Sequence, residues 1–315
     1  MNTVIFTTTL TQTGYLILLV AIGFVLKKFK ILKEGAVHTL SSLETYLLIP
    51  GICLATFMKE FTVEKLAVAW KLVLGSVAVE LILIALSFFL IRLFSKEKYL
   101  QRIYQYALLF ANFGYFGNAV VSALFPEFFA DYLIFTAVLW IGIAVFGAPI
   151  LMDRECKGGT SVKQVLKSIL NPMVVAMLIG MGIGLSGIKI PVFFQTAVDS
   201  LGACMSPIAM LLSGMIFAEV RLKKALTIPK VYVMTLLRLL VLPISFLAIA
   251  RLLHLSNEFA LLGVAAMGMP IGLNLIVIPA SNGDVPEEAS GMVFVSHLLS
   301  VVTIPFLFWL LTVWA

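Results

Sequence analysis

Apolar residues run along this chain in stretches of about 20 or more, separated by short polar and basic segments. About 20 mainly apolar residues carry a helix across the hydrocarbon core of a bilayer. Such stretches fall at 6–26, 36–58, 66–93, 103–125, 129–152, 168–187, 193–218, 229–252, 258–281 and 288–313. The pattern predicts ten transmembrane helices, spans 1 to 10, in one compact bundle with no soluble domain. The beginning carries no basic region ahead of an apolar core, and Thr8, Thr9, Thr11, Gln12 and Thr13 interrupt it. Span 1 is therefore expected to act as its own insertion signal rather than as a cleaved leader.

Composition gives the same picture. Of 315 residues 61% are hydrophobic and 12% charged, with a mean hydropathy of +1.09. A soluble domain carries about 25% charged residues, so most of this surface is expected to face the lipid bilayer. The net charge of +6 would suit nucleic acid, but the 22 basic residues cluster between apolar runs. That is loop charge, and no nucleic-acid partner is expected. Sixteen Lys and Arg fall in the odd-numbered connections, among them Lys27, Arg102, Arg154, Lys163 and Arg221, and five in the even-numbered ones. Cytoplasmic loops carry the positive excess. The expected setting is the plasma (inner) membrane, with both termini extracytoplasmic. Cys53, Cys156 and Cys204 form no metal or redox pattern, and no cofactor or metal is expected.

Five spans per half make the second half enter the membrane the other way round, an arrangement common among secondary transporters. Residues 1–152 form the first repeat and 153–315 the second. Traces of the repeat survive: Ser42-Leu43, Pro50 and Leu54 in span 2 answer to Ser200-Leu201, Pro207 and Leu211 in span 7. Pro126-Glu127 introduces span 5 as Pro286-Glu287 introduces span 10, with Pro149 and Pro305 further along. Spans 4 and 9 are the most irregular. Span 4 holds Asn112, Gly114, Gly117 and Asn118; span 9 holds Pro270, Gly272 and Asn274, then Pro279. Gly weakens a helix by about 1 kcal/mol against Ala, and broken backbone survives in a membrane only inside protein or beside a cavity. Glycines alone would read as close helix packing. Their recurrence with Asn in symmetry-related spans predicts a binding site.

Asn112-x-Gly114-x-x-Gly117 and Pro270-x-Gly272-x-Asn274, followed by Ser300-x-x-Thr303-x-Pro305, resemble the auxin efflux carrier family, which includes plant PIN proteins and bacterial malate and malonate permeases. The resemblance implies an all-α polytopic membrane protein of two inverted five-helix repeats, in which broken helices 4 and 9 cross near the membrane centre. Spans 1, 2, 6 and 7 would be a scaffold, and spans 3–5 and 8–10 a transport unit moving by an elevator-type shift. The substrate implied is a small organic anion bound by Asn112, Gly114, Gly117 and Asn118 on one side and Pro270, Gly272 and Asn274 on the other. H+ or Na+ would be open as coupling ion, and a homodimer is compatible with it. The chain departs from the family at Ala119, where proline is usual, which predicts a less sharply broken span 4 than span 9.

Ionisable residues within spans are functional candidates because burying them unpaired is costly. Glu44, Glu80, Asp199 and Arg238 are the four. Glu80 and Arg238 occupy equivalent spans and are expected to pair with each other, with Arg238 alternatively countering a substrate charge. Glu44 and Asp199 occupy the equivalent spans 2 and 7 as candidates to carry a coupling proton; for Asp199 a position at the membrane edge is the equal alternative. His297 is expected to be a hydrogen-bonded structural residue. No metalloprotease motif, aspartate-rich diphosphate motif, Ser/His pair at catalytic spacing or nucleotide-binding phosphate loop occurs, so an enzyme is not expected. A sodium-coupled carrier like the bile-acid symporters is the nearest alternative, and a receptor or channel a more distant one.

Overall fold

The computed structural model describes residues 2–33, 35–152, 171–220, 222–281 and 285–314. Arg154, Cys156, Lys157, Lys163, Lys167 and Arg221 lie outside the described residues.

Every regular element is helical. In chain order they are α1 (Asn2–Lys28), α2 (Ala36–Glu60), α3 (Val63–Phe94), α4 (Lys98–Leu109), α5 (Phe113–Leu124), α6 (Pro126–Met152), α7 (Pro172–Ser186) and α8 (Val192–Glu219). The short α9 (Leu222–Ala225), α10 (Pro229–Leu252), α11 (Asn257–Met267), α12 (Asn274–Ser281) and α13 (Glu287–Val313) follow. Local chemistry sets these starts: Thr62, Asn171 and Ser256 cap α3, α7 and α11 by accepting from the amides of Lys65, Val174 and Phe259. Pro172 and Pro229 open α7 and α10, where a missing N–H costs nothing. Gly187, with φ of 64°, ends α7 in the left-handed conformation.

Among the described residues seven helices are long and apolar enough to cross a membrane: α1, α2, α3, α6, α8, α10 and α13. Apolar but shorter are α5, α7 and α11. Large side chains stand on the outer surface, Phe89 at 73% and Leu93 at 79% exposure, where water would be unfavourable and lipid is the natural neighbour. Among the described residues four helices contain a π-turn, at Glu44–Leu48, Phe113–Gly117, Ile143–Gly147 and Leu237–Val241. A π-turn widens the helix by one residue and often marks a functional site. Here one begins at Glu44, one follows Asn112 and one contains Arg238.

Packing divides unevenly. α1 lies along α8, while α2 lies along α7 and α8. α3 packs on α4 and α6, α10 on α11 and α13, and α12 on α6 and α13. The α1–α8 contact is backbone to backbone, because a Cβ at Gly23 would overlap the Leu211 carbonyl and one at Gly214 the Val20 carbonyl. Small residues let helices approach this closely in membranes. Overpacking a core typically costs about 1–3 kcal/mol when side chains can yield; a carbonyl cannot move aside. Gly214→Val is therefore expected to lower the detergent melting temperature sharply and to broaden the size-exclusion peak. An unchanged melting curve would mean that α1 and α8 are not held by this contact.

Candidate functional site

Two of the hydrophobic runs do not form continuous helices. The first stops at Leu109 and resumes at Phe113, and the second stops at Met267 and resumes at Asn274. The gaps meet. Ala111 and Ile271 form an antiparallel bridge, in which the Asn112 amide donates to the Pro270 carbonyl (2.6 Å) and the Gly272 amide to the Phe110 carbonyl (3.1 Å). Each break thus satisfies backbone groups that the other leaves without an intrahelical partner, the condition for non-helical chain inside a membrane. Span 4 breaks fully although Ala119 replaces proline. Asn112, at φ −81° and ψ 51°, accepts the Phe116 amide on its side chain and caps the second half-helix. The cap does here what proline does elsewhere.

Helix α13 fixes both breaks. His297 Nδ1 lies 2.8 Å from the Val293 carbonyl, which can only accept, so Nδ1 carries the proton. Its Nε2 therefore accepts from the Asn112 side-chain amide at 3.0 Å, and the same orientation leaves Asn112 Oδ1 for the Phe116 amide. The preceding residue, Ser296, accepts from the Ile271 amide (3.0 Å) and donates to Val293 (2.9 Å). His297 takes the hydrogen-bonded role expected of it. Ser296 escaped the sequence reading, since a serine in an apolar helix carries no sign of what it holds.

The crossing encloses a cavity of about 10 Å³, lined by Tyr106, Asn112, Gly114, Tyr115, Trp140, Gly272 and Asn274 among others. That is room for about one water, so a carboxylate enters only when the walls part. No charged side chain lines it among the described residues. The buried Tyr106 hydroxyl is directed toward Asn274 without closing a hydrogen bond. The Tyr115 hydroxyl faces Thr45, with Glu44 close by. Tyr106, Tyr115 and Trp140 were not singled out in the sequence, although polar aromatics on both sides of Asn112 were a usable signal.

The remaining sequence candidates separate. Gly114 lies under the Trp140 ring and Gly117 under the Tyr132 hydroxyl, so both make room for α6 against α5. Gly114 also lines the cavity, and Gly117 does not. Asn118 is buried with neither amide atom hydrogen-bonded, and Pro270 is buried in the bridge. Glu80 and Arg238 do not pair. The Glu80 carboxylate packs against Gly142 of α6, whereas Arg238 sits on the α10 π-turn, which packs against α4 and α13. Arg238 is 2% exposed, and its Nε and Nη1 have no partner; Glu80 Oε1 has none either. Glu44 is fully buried, with both carboxylate oxygens unpartnered.

Asp199 is different. Its carboxylate bridges Lys59 at 2.7 Å, and both side chains are about half exposed at the mouth of a cavity of about 370 Å³ between α2, α5, α6 and α8. Exposed pairs contribute about 0–1 kcal/mol. Asp199→Asn is expected to shift the melting temperature by no more than that energy and to retain transport; loss of transport would assign the pair to the mechanism.

The model of the family described as membrane transport protein matches residues 9–308, nearly the whole chain. The chain belongs to this family. It is the auxin efflux carrier and PIN-like family, and it makes the protein a membrane transporter. A search among curated proteins finds no match for the transporter.

Proposed function

We propose that this transporter moves a small organic anion across the plasma membrane by alternating access, with the substrate held where the two broken helices cross. The observation that carries the reading is the paired break itself, two interrupted helices joined at 110–112 and 270–272. Interrupted helices in corresponding positions of two halves mark transporter binding sites. The resumed halves α5 and α12 begin at the crossing, and helix N-termini favour negative charge. The amides of Asn112 and Asn274 and the hydroxyls of Tyr106 and Tyr115 supply neutral donors. A buried guanidinium without a counter-charge, that of Arg238, adds a positive field from a turn packed on α4 and α13, two helices that reach the crossing.

In this reading the seven long and three shorter apolar helices are ten spans of two inverted repeats, with both termini outside. α1, α2, α7 and α8, linked to one another through α2 and α8, form the scaffold, and the crossing helices travel past them as an elevator, with α13 moving along α1. An inside-negative potential alone favours anion efflux by about 2.3 kcal/mol per charge per 100 mV. The test is a proteoliposome screen of mono- and dicarboxylates with and without proton and sodium gradients. Accumulation or counterflow of at least one carboxylate is expected, and a screen with no flux of any of them overturns the reading.

A further inference from the structure

The surroundings of Glu44 point beyond anion transport. The residue opens the π-turn of α2, is 0% exposed and has a hydrogen bond to neither carboxylate oxygen. Among the described residues it has no ion-pair partner. The turn packs on α7 and α8 as well as on the rest of α2. α7 carries no titratable residue. On α8, Asp199 is engaged by Lys59 at one end and Glu219 by Lys27 at the other, and Cys204 is exposed. On α2 itself His38 and Tyr46 are exposed, and from the crossing come two tyrosines, Tyr115, whose hydroxyl faces Thr45, and beyond it Tyr106. A bare carboxylate in such a place is strongly unfavourable, and proteins resolve it by binding a cation or a proton.

We propose that Glu44 is a binding site for a monovalent cation, H+ or Na+, on the side of the crossing that faces α2, with the Thr45 and Tyr115 hydroxyls as neighbouring oxygens. The chemistry shared by the two ions is neutralisation of one buried negative charge by oxygen ligation or protonation. Its consequence rests on the anion reading above. An unoccupied Glu44 carboxylate beside Tyr115 repels an anion at the crossing, and an occupied one does not. Cation and anion therefore bind cooperatively, the cation at α2 of the scaffold and the anion at the crossing, which makes the anion's affinity depend on that cation. A coupling factor of about tenfold in anion affinity is expected, inside the usual range for linked sites.

The test has two arms on the reconstituted full-length protein. The first needs no substrate. Wild type and Glu44→Gln, a neutral isostere, are compared by infrared difference spectroscopy across a pH series and by thermal melting in NaCl against choline chloride. A protonated-carboxyl band present in wild type and missing from Glu44→Gln identifies H+. A Na+-dependent melting shift present in wild type and missing from Glu44→Gln identifies Na+. Identical responses of the two proteins to both ions overturn the cation site. Tyr115→Phe, which keeps the carboxylate, is expected to weaken the cation response several-fold and stands in should Glu44→Gln misfold; an unaltered response in that case counts against the site. The second arm measures counterflow of malonate and malate. Glu44→Gln is expected to remove the roughly tenfold dependence of anion affinity on the cation. Flux that keeps the wild-type ion dependence in Glu44→Gln sinks the coupling. Absence of any carboxylate flux in wild type strikes the anion reading instead, and leaves the first arm to decide Glu44.

Discussion

Asn112→Ala is expected to reduce transport by one to two orders of magnitude while the protein still inserts and purifies, and Asn274→Ala to do the same. The Asn112 carboxamide caps the second half-helix through its oxygen and donates through its nitrogen to the His297 ring, so its loss unfixes the wall of the cavity. A lost cap costs about 0.5–2 kcal/mol of stability, well short of unfolding a typical domain. A hydrogen bond to a charged group is worth about 1.5–3 kcal/mol, and about 1.4 kcal/mol is tenfold in an equilibrium constant. The effect on anion recognition therefore exceeds the effect on folding. Initial rates in proteoliposomes, beside a melting curve in the same detergent, separate the two. Wild-type rates in both variants would remove the crossing from consideration as the site.

Arg238→Met gives the second large effect, and its sign on stability is opposite. A buried charge lacking a partner weighs against the fold, and replacing buried ionic groups by apolar ones of similar size is often neutral or stabilising by about 1–4 kcal/mol. The melting temperature is therefore expected to hold or rise. Transport is expected to fall by at least about tenfold, because the buried cation on the turn packed against α4 and α13 is gone. A stabilised variant that transports at the wild-type rate would make Arg238 a bystander. A variant that fails to fold would mean that the guanidinium has structural partners.

The sequence made some of this legible and hid the rest for identifiable reasons. Long apolar runs gave the helices, because lipid leaves the chain few other choices. The sites of interruption were visible in Asn112, Gly114, Gly272 and Asn274. The sharpness of the first break was not, since Ala119 suggested a milder one. A capping side chain three residues past the end of α4 interrupts a helix as completely as proline, and a cap is decided by backbone angles. The pairing of Glu80 with Arg238 was inferred from equivalent places in the two halves. Equivalence does not fix which face of a helix a side chain occupies, and a π-turn at Leu237–Val241 rotates that face locally. Asp199 lies two turns from the start of α8 at Val192, close enough to the end for Lys59 to reach it. The contribution of Ser296 depends on a contact with Ile271, 25 positions away in sequence, which periodicity cannot reveal.

That contact bears on the energetics of a transport cycle. Ser296 and His297 are neighbours on α13, and each grips a different break, Ile271 in one case and Asn112 in the other. Both breaks are thus tied to a single post, so a movement of α13 carries them together. In the elevator cycle proposed above, a pocket carried on such a post would offer the same contacts whether it opens to one side of the bilayer or the other. Its intrinsic dissociation constant should then be equal from the two faces, and any concentrating power must come from the ion and voltage gradients across the membrane.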